Sequence, residues 1–285
     1  MEINKILQTG REALLKTGKD PREARLLLSF ILGIRSEELV KYDECSEENA
    51  KKYLEALERR CKGEPYAYIV GNKEFMKLNF KVDKNVLIPR EDTEVLVTEV
   101  INLAKKIHNS DNIYKSNNIK ILDMCTGSGC IAISLAKYIE DSKVTAVDIS
   151  EEALKIAKIN ANSNDVEVRF INSNLFNVLS KDEKFDIIVS NPPYIKKAVI
   201  EELQEEVKKE PVLALDGGVS GLEFYEKIIN QAIDYLSDNG FLAFEIGYDQ
   251  GEAVSNLMRK NGYKNVLIVK DLSENDRVVI GCLMS

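Results

Sequence analysis

The sequence predicts an α/β fold in which a mainly parallel β-sheet is covered by helices on both faces. Three observations support this prediction. From Ile119 onward, short apolar runs alternate with amphipathic segments, as in a parallel sheet whose crossovers are helices. Two apolar runs then follow each other at 264–270 and 277–283, which indicates a final antiparallel hairpin. The first 65 residues show helical periodicity, so a small helical domain precedes the sheet.

Residues 1–72 are predicted to form a helical bundle. Asp20-Pro21-Arg22-Glu23 matches a capping box, with Asp20 as the cap and Glu23 able to reach back to it. Ser46 is expected to open another helix that runs to about Cys61. The bundle either stabilises the chain or docks a partner, and the sequence does not separate these roles. Substrate docking is our working hypothesis.

Residues 73–90 alternate between polar and apolar types, which predicts a β-hairpin that turns around Asp83-Lys84-Asn85. This hairpin would link the bundle to a third region, 91–285. A helix is expected from Thr93 to Ile107. The run 105–118 is rich in Asn, Ser and Lys, which predicts an exposed loop.

The region 91–285 carries the seven strands of the predicted sheet. They are expected at 120–126, 143–149, 166–172, 185–191, 240–247, 264–270 and 277–283. Helices are expected between them at 129–139, after a cap at Ser150, at 222–236 and at 249–261.

Composition excludes several classes of protein. A net charge of −8 disfavours a broad electrostatic grip on nucleic acid. No apolar run approaches the roughly 18 residues of a membrane span, and the start does not resemble a signal peptide. The five cysteines form no CxxC pair, so we expect reduced thiols in a cytoplasmic protein and no metal site. The single histidine, His108, lies in a polar run, which argues against a Ser-His-Asp triad.

The first predicted strand runs directly into a glycine-rich turn, Thr126-Gly127-Ser128-Gly129. Glycines at a strand-to-helix turn allow the backbone to approach a ligand closely. Asp148 ends the next strand, where a carboxylate can accept both hydroxyls of a ribose. The pair indicates an adenosine-type cofactor, and both NAD and S-adenosylmethionine fit. NAD is the weaker fit, because no acid–base group is poised for hydride transfer.

The fourth strand ends in Asn191-Pro192-Pro193-Tyr194, and NAD binding does not explain this motif. Methyl transfer to an amide or amino nitrogen does, because such a nitrogen is a weak nucleophile whose N–H bonds must be gripped and aimed. The Asn191 side-chain carbonyl and the Pro192 backbone carbonyl are the two acceptors, and Pro193 holds the second rigid. Tyr194 can stack against the planar acceptor. Positioning and fixed dipoles would then carry the rate.

The motifs described above resemble those of a known family. DMCTGSG, Asp148 and NPPY, in this order, resemble class I S-adenosylmethionine-dependent methyltransferases, which have a Rossmann-like sheet. Further stretches resemble the peptide chain release factor glutamine methyltransferases, the PrmC/HemK family. They are GEPYAYIVGNKEF at 63–75, LIPREDTE at 87–94, EPVLALDGGVSGL at 210–222, FEIGYDQGEAV at 244–254 and DLSENDRVVIG at 271–281.

The resemblance implies methylation of the side-chain amide nitrogen of the glutamine in the GGQ loop of release factors. It implies catalytic roles for Asn191, Pro192, Pro193 and Tyr194. It implies an S-adenosylmethionine site formed by Asp123, Cys125, Thr126, Gly127, Ser128, Gly129, Asp148, Ile149, Asn174, Leu175 and Asn191. Asp123 would lie beneath the methionine end of the cofactor, and LIPREDTE, with Arg90 and Glu94, at a domain junction near the pocket mouth.

Two residues depart from the family pattern. Cys125 stands where a glycine is usual, so its backbone must avoid positive φ or tolerate it at some cost. Asn174 stands where an aspartate is usual, and an uncharged acceptor is weaker. A monomer is expected. The alternatives are glutamine methylation of a ribosomal protein and N-methylation of adenine or guanine in nucleic acid.

Overall fold

The structure is a computed structural model that describes residues 1–109 and 118–284. The chain divides into two compact units. The first is Met1–Asn72 together with Leu203–Lys209, and the second is Lys73–Glu202 together with Glu210–Ser285.

The first unit is helical, and its core is built from apolar stripes such as Leu14, Leu28 and Tyr53, each fully buried. Ser46 caps the third helix as expected, because its hydroxyl accepts the N–H of Asn49 at 3.1 Å. The helices are Ile3–Lys16 (α1), Glu23–Leu32 (α2), Glu47–Cys61 (α3) and Tyr66–Val70 (α4).

The capping box predicted before α2 is wrong. Asp20 accepts the backbone N–H of Arg22 at 2.8 Å, but Glu23 does not reach back. The Glu23 carboxylate instead pairs with Arg60 at 2.5 Å, and Glu206 holds the same guanidinium at 3.0 Å. Arg60 is only 3% exposed, and a buried charge without partners is costly. The tertiary requirement of Arg60 therefore overrides the local capping pattern.

A hairpin follows at the start of the second unit, with strands Asn72–Phe75 (β1) and Leu78–Lys81 (β2), and only its first residue is assigned to the first unit. Its turn lies at Met76 and Lys77, with φ of 50° and 60°, so the turn predicted around Asp83 is wrong. Two consecutive positive φ values give the tight turn whose twist matches a hairpin, normally with Asn or Gly. The Glu94 carboxylate accepts the N–H of Met76 at 2.6 Å, which stabilises this turn despite its residue types.

The next helix, Thr93–Asn109 (α5), extends two residues beyond the predicted end at Ile107. It therefore includes the start of the predicted 105–118 loop, which is wrong for those residues. Residues 110–117 of that loop lie outside the described residues. His108, at the end of α5, is half-buried.

The seven-stranded sheet is confirmed, with the strand order β5-β4-β3-β6-β7-β9-β8. The first five in this order are parallel, and β9 runs antiparallel to both of its neighbours. Its strands are Ile119–Met124 (β3), Ser142–Asp148 (β4), Arg169–Asn172 (β5), Phe185–Ser190 (β6), Leu236–Glu245 (β7), Lys264–Lys270 (β8) and Asp276–Cys282 (β9). Its helices are Cys130–Tyr138 (α6), Glu151–Ser163 (α7), Val212–Leu215 (α8), Glu223–Ala232 (α9) and Gly251–Lys260 (α10).

Strand side chains alternate between two cores, one on each face of the sheet. Ile121 and Val189 belong to one core, and Leu122 and Ile188 to the other. The sequential order of the strands reverses at β3, which lies between β4 and β6. Open α/β sheets bind ligands at the carboxyl ends of strands beside such a reversal.

Candidate active site

A cleft of about 270 Å³ opens at the carboxyl ends of β3, β4 and β6. It lies wholly within the second unit. Among the residues that line it, Lys227 and Asp148 carry the only charges. The lining comprises Asn85, Val86, Leu87, Met124, Cys125, Gly127, Val147, Asp148, Ile149, Ser150, Ala153, Ser173, Asn174, Leu175, Asn191, Pro193, Pro211, Leu213, Ala214, Phe224 and Lys227.

The glycine-rich turn joins β3 to α6 and forms one wall of the cleft. Gly129 has a φ of 82°, and a Cβ there would lie 2.9 Å from Ile133 and 3.0 Å from Ala157, so only glycine fits this close approach. Cys125 also has a positive φ, of 65°. Of the two alternatives open for Cys125, its backbone therefore tolerates the strained conformation. Burial raises the pKa of its thiol, so the group is a neutral thiol near pH 7.

Asp148 ties the ends of β3 and β4 together. One carboxylate oxygen accepts the N–H of Gly127 at 2.8 Å, and the other accepts the N–H of Ser150 at 2.9 Å. Burial raises the pKa of Asp148, and these backbone hydrogen bonds oppose that rise. Each oxygen keeps a second lone pair for a ligand, and the carboxylate lines the cleft.

Asp123 is fully buried behind the turn. Its Oδ2 accepts the Thr126 hydroxyl at 2.5 Å and the Ala132 N–H at 3.2 Å, but its Oδ1 is buried without a hydrogen-bond partner. Burial raises the pKa of Asp123 to about 7. An unpartnered buried acceptor at a ligand site is a candidate contact for a cation. With Asp148 and the open space at Gly127, this acceptor set fits S-adenosylmethionine, which carries an ammonium and a ribose diol.

Asn160 supports the turn from α7, and sequence reasoning did not identify it. Its side-chain amide donates to the carbonyl of Ser128 at 2.9 Å and to that of Lys81 at 3.0 Å, and its oxygen accepts the N–H of Lys81 at 2.7 Å. The side chain is fully buried. One amide thus links the cofactor turn to β2, a contact between segments about 80 residues apart that no local pattern reveals.

The Asn191 side chain lines the cleft at the end of β6. Its amide nitrogen lies 3.4 Å from the Thr93 hydroxyl at the start of α5. Glu245, at the end of the neighbouring strand β7, is 2% exposed, and its Oε2 is buried without a hydrogen-bond partner. Sequence reasoning assigned no role to Thr93 or Glu245, although LIPREDTE contains the first and FEIGYDQGEAV the second. Neither stretch shows by itself that the two side chains meet at Asn191.

The backbone after Pro193 is clamped by two glycines of the DGGVSGL stretch. A Cβ on Gly217 would lie 2.7 Å from the backbone of Tyr194, and one on Gly221 would lie 2.6 Å from the Tyr194 carbonyl oxygen. Gln250 donates to that same carbonyl at 3.1 Å and to the Gly221 carbonyl at 3.2 Å. Close backbone approach therefore explains these glycines, and the DGGVSGL stretch was the sequence signal for them.

The residues predicted for the site fall into two groups. Eight line the cleft: Cys125, Gly127, Asp148, Ile149, Asn174, Leu175, Asn191 and Pro193. The remainder are not among the residues that line the cleft: Asp123, Thr126, Ser128, Gly129, Pro192 and Tyr194. The Tyr194 side chain packs against the core cluster that contains Tyr225 and Phe244. Burial raises its pKa, so it is a neutral phenol.

Residues of the LIPREDTE stretch contact two separate parts of the second unit, the segment at Glu210 and the hairpin turn at Met76. Arg90 forms an ion pair with the buried Glu210, which also accepts the N–H of Ile88 at 3.0 Å. Pro211, the next residue, lines the cleft. Glu94 instead holds the hairpin turn through Met76. This stretch therefore orients Glu210 and the cleft wall that follows it.

Two features are absent from the described residues, 1–109 and 118–284: a cluster of metal ligands and a membrane-spanning helix. No group of three or more His, Cys, Asp or Glu side chains is arranged to hold a metal ion. No helix in those ranges combines the length and apolar character needed to cross a membrane.

Comparison with known proteins gives concordant results. Residues 103–217 match the model of the methyltransferase small domain, and residues 5–71 match that of the PrmC N-terminal domain. A methyltransferase from Pyrococcus furiosus has a similar fold, with a TM-score of 0.53 and 21% identity over 75% of this chain and 92% of that one.

Several curated relatives carry the name release factor glutamine methyltransferase. The one from Fusobacterium nucleatum is 46% identical over 240 residues, which span 83% of this chain and 65% of that relative. The one from Thermodesulfovibrio yellowstonii is 39% identical over 279 residues, which span 97% of both chains. The methyl donor that such a fold and site imply is S-adenosylmethionine. This chain therefore belongs to the release factor glutamine methyltransferase family.

Proposed function

We propose that this protein transfers a methyl group from S-adenosylmethionine to the side-chain amide nitrogen of the glutamine in the GGQ loop of peptide chain release factors. The observation that carries the proposal is the position of Asn191 in the cleft. It lies beside Pro193 and on the same cleft as Asp148, so an amide acceptor and a ribose acceptor face one cavity.

The chemistry that S-adenosylmethionine supplies is an electrophilic methyl group on a sulfonium. In that transfer the substrate nitrogen would gain the methyl carbon, the sulfonium would leave as a neutral thioether, and the nitrogen would then lose one proton to water. The Asn191 side-chain carbonyl and the Pro192 backbone carbonyl accept the two N–H bonds and aim the nitrogen. Tyr194 packs against the core beside these acceptors and fixes the backbone that carries them. Fixed acceptors of this kind lower the barrier without reorganising during the reaction.

The proposed cofactor roles belong to the residues around the glycine-rich turn and Asp148. Asp148, which lines the cleft, would hold the ribose diol, and Asp123, whose Oδ1 is buried behind the turn without a hydrogen-bond partner, would be the acceptor for the ammonium. The turn from Cys125 to Gly129 lets the backbone approach the cofactor. Ile149 and Leu175, which line the cleft, would cover the adenine, and Asn174 would accept its amino group.

The residues that line the cleft favour a flexible peptide as substrate over nucleic acid. Lys227 is the single cation among the residues that line the cleft. A groove that grips nucleic acid normally presents several phosphate-binding cations. A glycine-flanked glutamine, by contrast, can enter a recessed site because its neighbours carry no Cβ atoms.

The organisation of the chain completes the proposal. Residues 1–72 dock the substrate protein, residues 73–90 link, and residues 91–285 bind S-adenosylmethionine and catalyse methyl transfer. The protein acts as a cytoplasmic monomer without stable nucleic-acid binding and needs no metal.

The decisive assay offers three methyl acceptors with labelled S-adenosylmethionine. They are a release factor that carries GGQ, the same factor with Gln→Asn in that motif, and an adenine-rich oligonucleotide. We expect label only on the first, at the GGQ glutamine by peptide mass mapping. Methylation of the oligonucleotide without methylation of the release factor would contradict the proposal, and label on ribosomal proteins instead would redirect it.

A further inference from the structure

Glu245 places a carboxyl group behind the proposed catalytic amide. It is the last residue of β7, and the register that pairs Phe244 with Ser190 sets Glu245 beside Asn191 at the strand ends. The residue is 2% exposed. Its Oε2 is buried without a hydrogen-bond partner, so a buried carboxyl is maintained at a cost that the fold alone does not explain.

Two donors act on this carboxyl. The Thr93 hydroxyl and the Asn191 amide both stabilise its charged form by hydrogen bonding. The Asn191 amide nitrogen also lies 3.4 Å from the Thr93 hydroxyl oxygen. The NH2 end of Asn191 therefore faces Thr93 and Glu245, while Asn191 is also one of the residues that line the cleft.

We propose that Glu245, together with Thr93, is a positioning residue that holds the Asn191 carboxamide with its NH2 end toward the interior and its carbonyl oxygen toward the cleft. This inference rests on the proposed function. The two ends of a carboxamide have nearly the same shape and opposite hydrogen-bonding character. A flipped Asn191 would present donors to a substrate amide that requires acceptors.

The carboxylate does more than select an orientation. A charge on the NH2 side polarises the Asn191 amide and increases the negative character of its carbonyl oxygen. Positive charge develops on the substrate nitrogen as it bonds to the methyl carbon. A buried anion one side chain away stabilises that charge in the transition state more than in the ground state, which raises kcat without tightening substrate binding.

Several ionisable groups face Glu245 or its immediate surroundings. Arg277 comes from β9, Asp92 from the segment before α5, Tyr194 from NPPY and Tyr225 from α9, with Cys130 of α6 further behind. Arg277 is shared with Asp92 at 3.1 Å and Asp271 at 3.0 Å, so its charge is not reserved for Glu245.

Burial raises the pKa of Glu245 to about 7, against the opposing effects of Thr93, Arg277 and Asn191. The charged form that we invoke is therefore present above about pH 7 and lost below it. We expect kcat to fall as the pH is lowered through this value.

The test compares two substitutions at Glu245 with a matched control. Glu245→Leu removes the acceptor and the charge while keeping the volume, and apolar replacement of a buried charge is often tolerated by the fold. Glu245→Gln keeps an oxygen that can accept from Asn191 but removes the charge. Ser255→Ala also deletes a buried oxygen that lacks a partner, on α10 away from the cleft.

We expect Glu245→Leu to lower kcat roughly 10- to 100-fold, with KM and the Kd for S-adenosylmethionine changed less than about threefold. Glu245→Gln should recover part of kcat and lose the pH dependence near 7. Ser255→Ala should match the unsubstituted protein in both respects. A Glu245→Leu enzyme with an unchanged kcat and pH profile would overturn the inference, and so would a loss of kcat that is matched by an equal loss of cofactor affinity.

A readout independent of methyl transfer distinguishes failure of the positioning role of Glu245 from failure of the proposed function. The side-chain amide signal of Asn191 is identified in a 15N NMR spectrum by its loss in Asn191→Ala. We expect it to shift with pH around 7, and this shift to be absent in Glu245→Leu. An Asn191 signal insensitive to pH and to Glu245 refutes the positioning role, whereas absence of release-factor methylation by the unsubstituted protein refutes the proposed function.

Discussion

The two halves of the cleft are built in different ways. The proposed cofactor half, Asp123 to Gly129 with Asp148, depends largely on short-range contacts: Asp148 accepts the N–H of Ser150 two residues on, and Asp123 accepts the hydroxyl of Thr126 three residues on. Asn160 adds one distant support, 32 positions from Ser128. The acceptor half is held by distant residues. Gln250 binds the Tyr194 carbonyl across 56 positions, and Thr93 lies 98 positions from Asn191.

This difference predicts that cofactor binding and methyl transfer can be impaired separately. A site held by local contacts keeps its shape wherever the strand-turn-helix unit folds. A site held by distant contacts depends on the whole sheet being in place. Substitutions in the first half should therefore change cofactor affinity, and those in the second half should change turnover. Five substitutions test this comparison, two of them through the stability of the first half.

The largest effect is expected at Asn191. In Asn191→Ala one substrate N–H is left without an acceptor, and a displacement of about 1 Å at the reacting nitrogen can cost ~100-fold in rate. Single-turnover methylation of a release factor should collapse by at least about 100-fold, while calorimetry shows a far smaller change in the Kd for S-adenosylmethionine. Equal losses of affinity and turnover would show that the two halves are not separable.

Asp148→Ala should produce the converse pattern. Loss of charge-assisted hydrogen bonds to the ribose, each worth about 1.5–3 kcal/mol, predicts a roughly 10- to 150-fold weaker Kd for S-adenosylmethionine. At saturating cofactor, kcat should recover most of its value. Calorimetry with NAD serves as the control, since tight NAD binding would contradict the cofactor assignment.

Gly221→Ala tests how rigidly the acceptor half is clamped. Its Cβ would lie 2.6 Å from the Tyr194 carbonyl oxygen, and the residue has a φ of 75°, so the NPPY backbone must shift. We expect kcat to fall roughly tenfold or more. Gly71→Ala is the matched control, because it has a similar φ of 71° and no atom within 4 Å of the added Cβ. Equal kcat values for the two variants would argue against the clamp.

Stability of the cofactor half should depend on pH through Asp123. Its pKa is raised from 3.8 to about 7 in the folded protein, so between these values the folded state binds more protons than the unfolded state. This contribution to stability is present at acid pH and is lost as the pH rises toward 7. Asp123→Asn should flatten that dependence in denaturant unfolding without cofactor. A curve that keeps its full slope would assign the effect to another group.

The smallest effect is expected at Cys125. Its φ of 65° costs a non-glycine residue about 1–2 kcal/mol, although glycine makes the unfolded chain more flexible. Cys125→Gly should therefore raise the free energy of unfolding by no more than about 1 kcal/mol. Thermal unfolding measures this change, with Gly127→Ala as the reverse substitution at a position where the added Cβ meets no atom.

The sequence by itself determined the α/β class, the seven strands and the turn that carries the cofactor half. These features depend on periodicity and on residues close together in the chain, such as Gly127 and Asp148 at consecutive strand ends. NPPY was visible for the same reason, because prolines that end a buried strand form a local pattern.

Only the tertiary structure decided which side chains support those motifs. Asn160 under the cofactor turn, Thr93 and Glu245 behind Asn191, and Gln250 on the Tyr194 carbonyl each act across long sequence separations. Two of the wrong local predictions, the capping box and the hairpin turn, have the same cause. The Glu23 carboxylate pairs with the buried Arg60 and does not form the capping box. The hairpin turns at Met76, whose N–H is accepted by the Glu94 carboxylate. Burial and hydrogen-bond satisfaction are set by the folded neighbourhood, and they outweigh local preferences of about 1 kcal/mol.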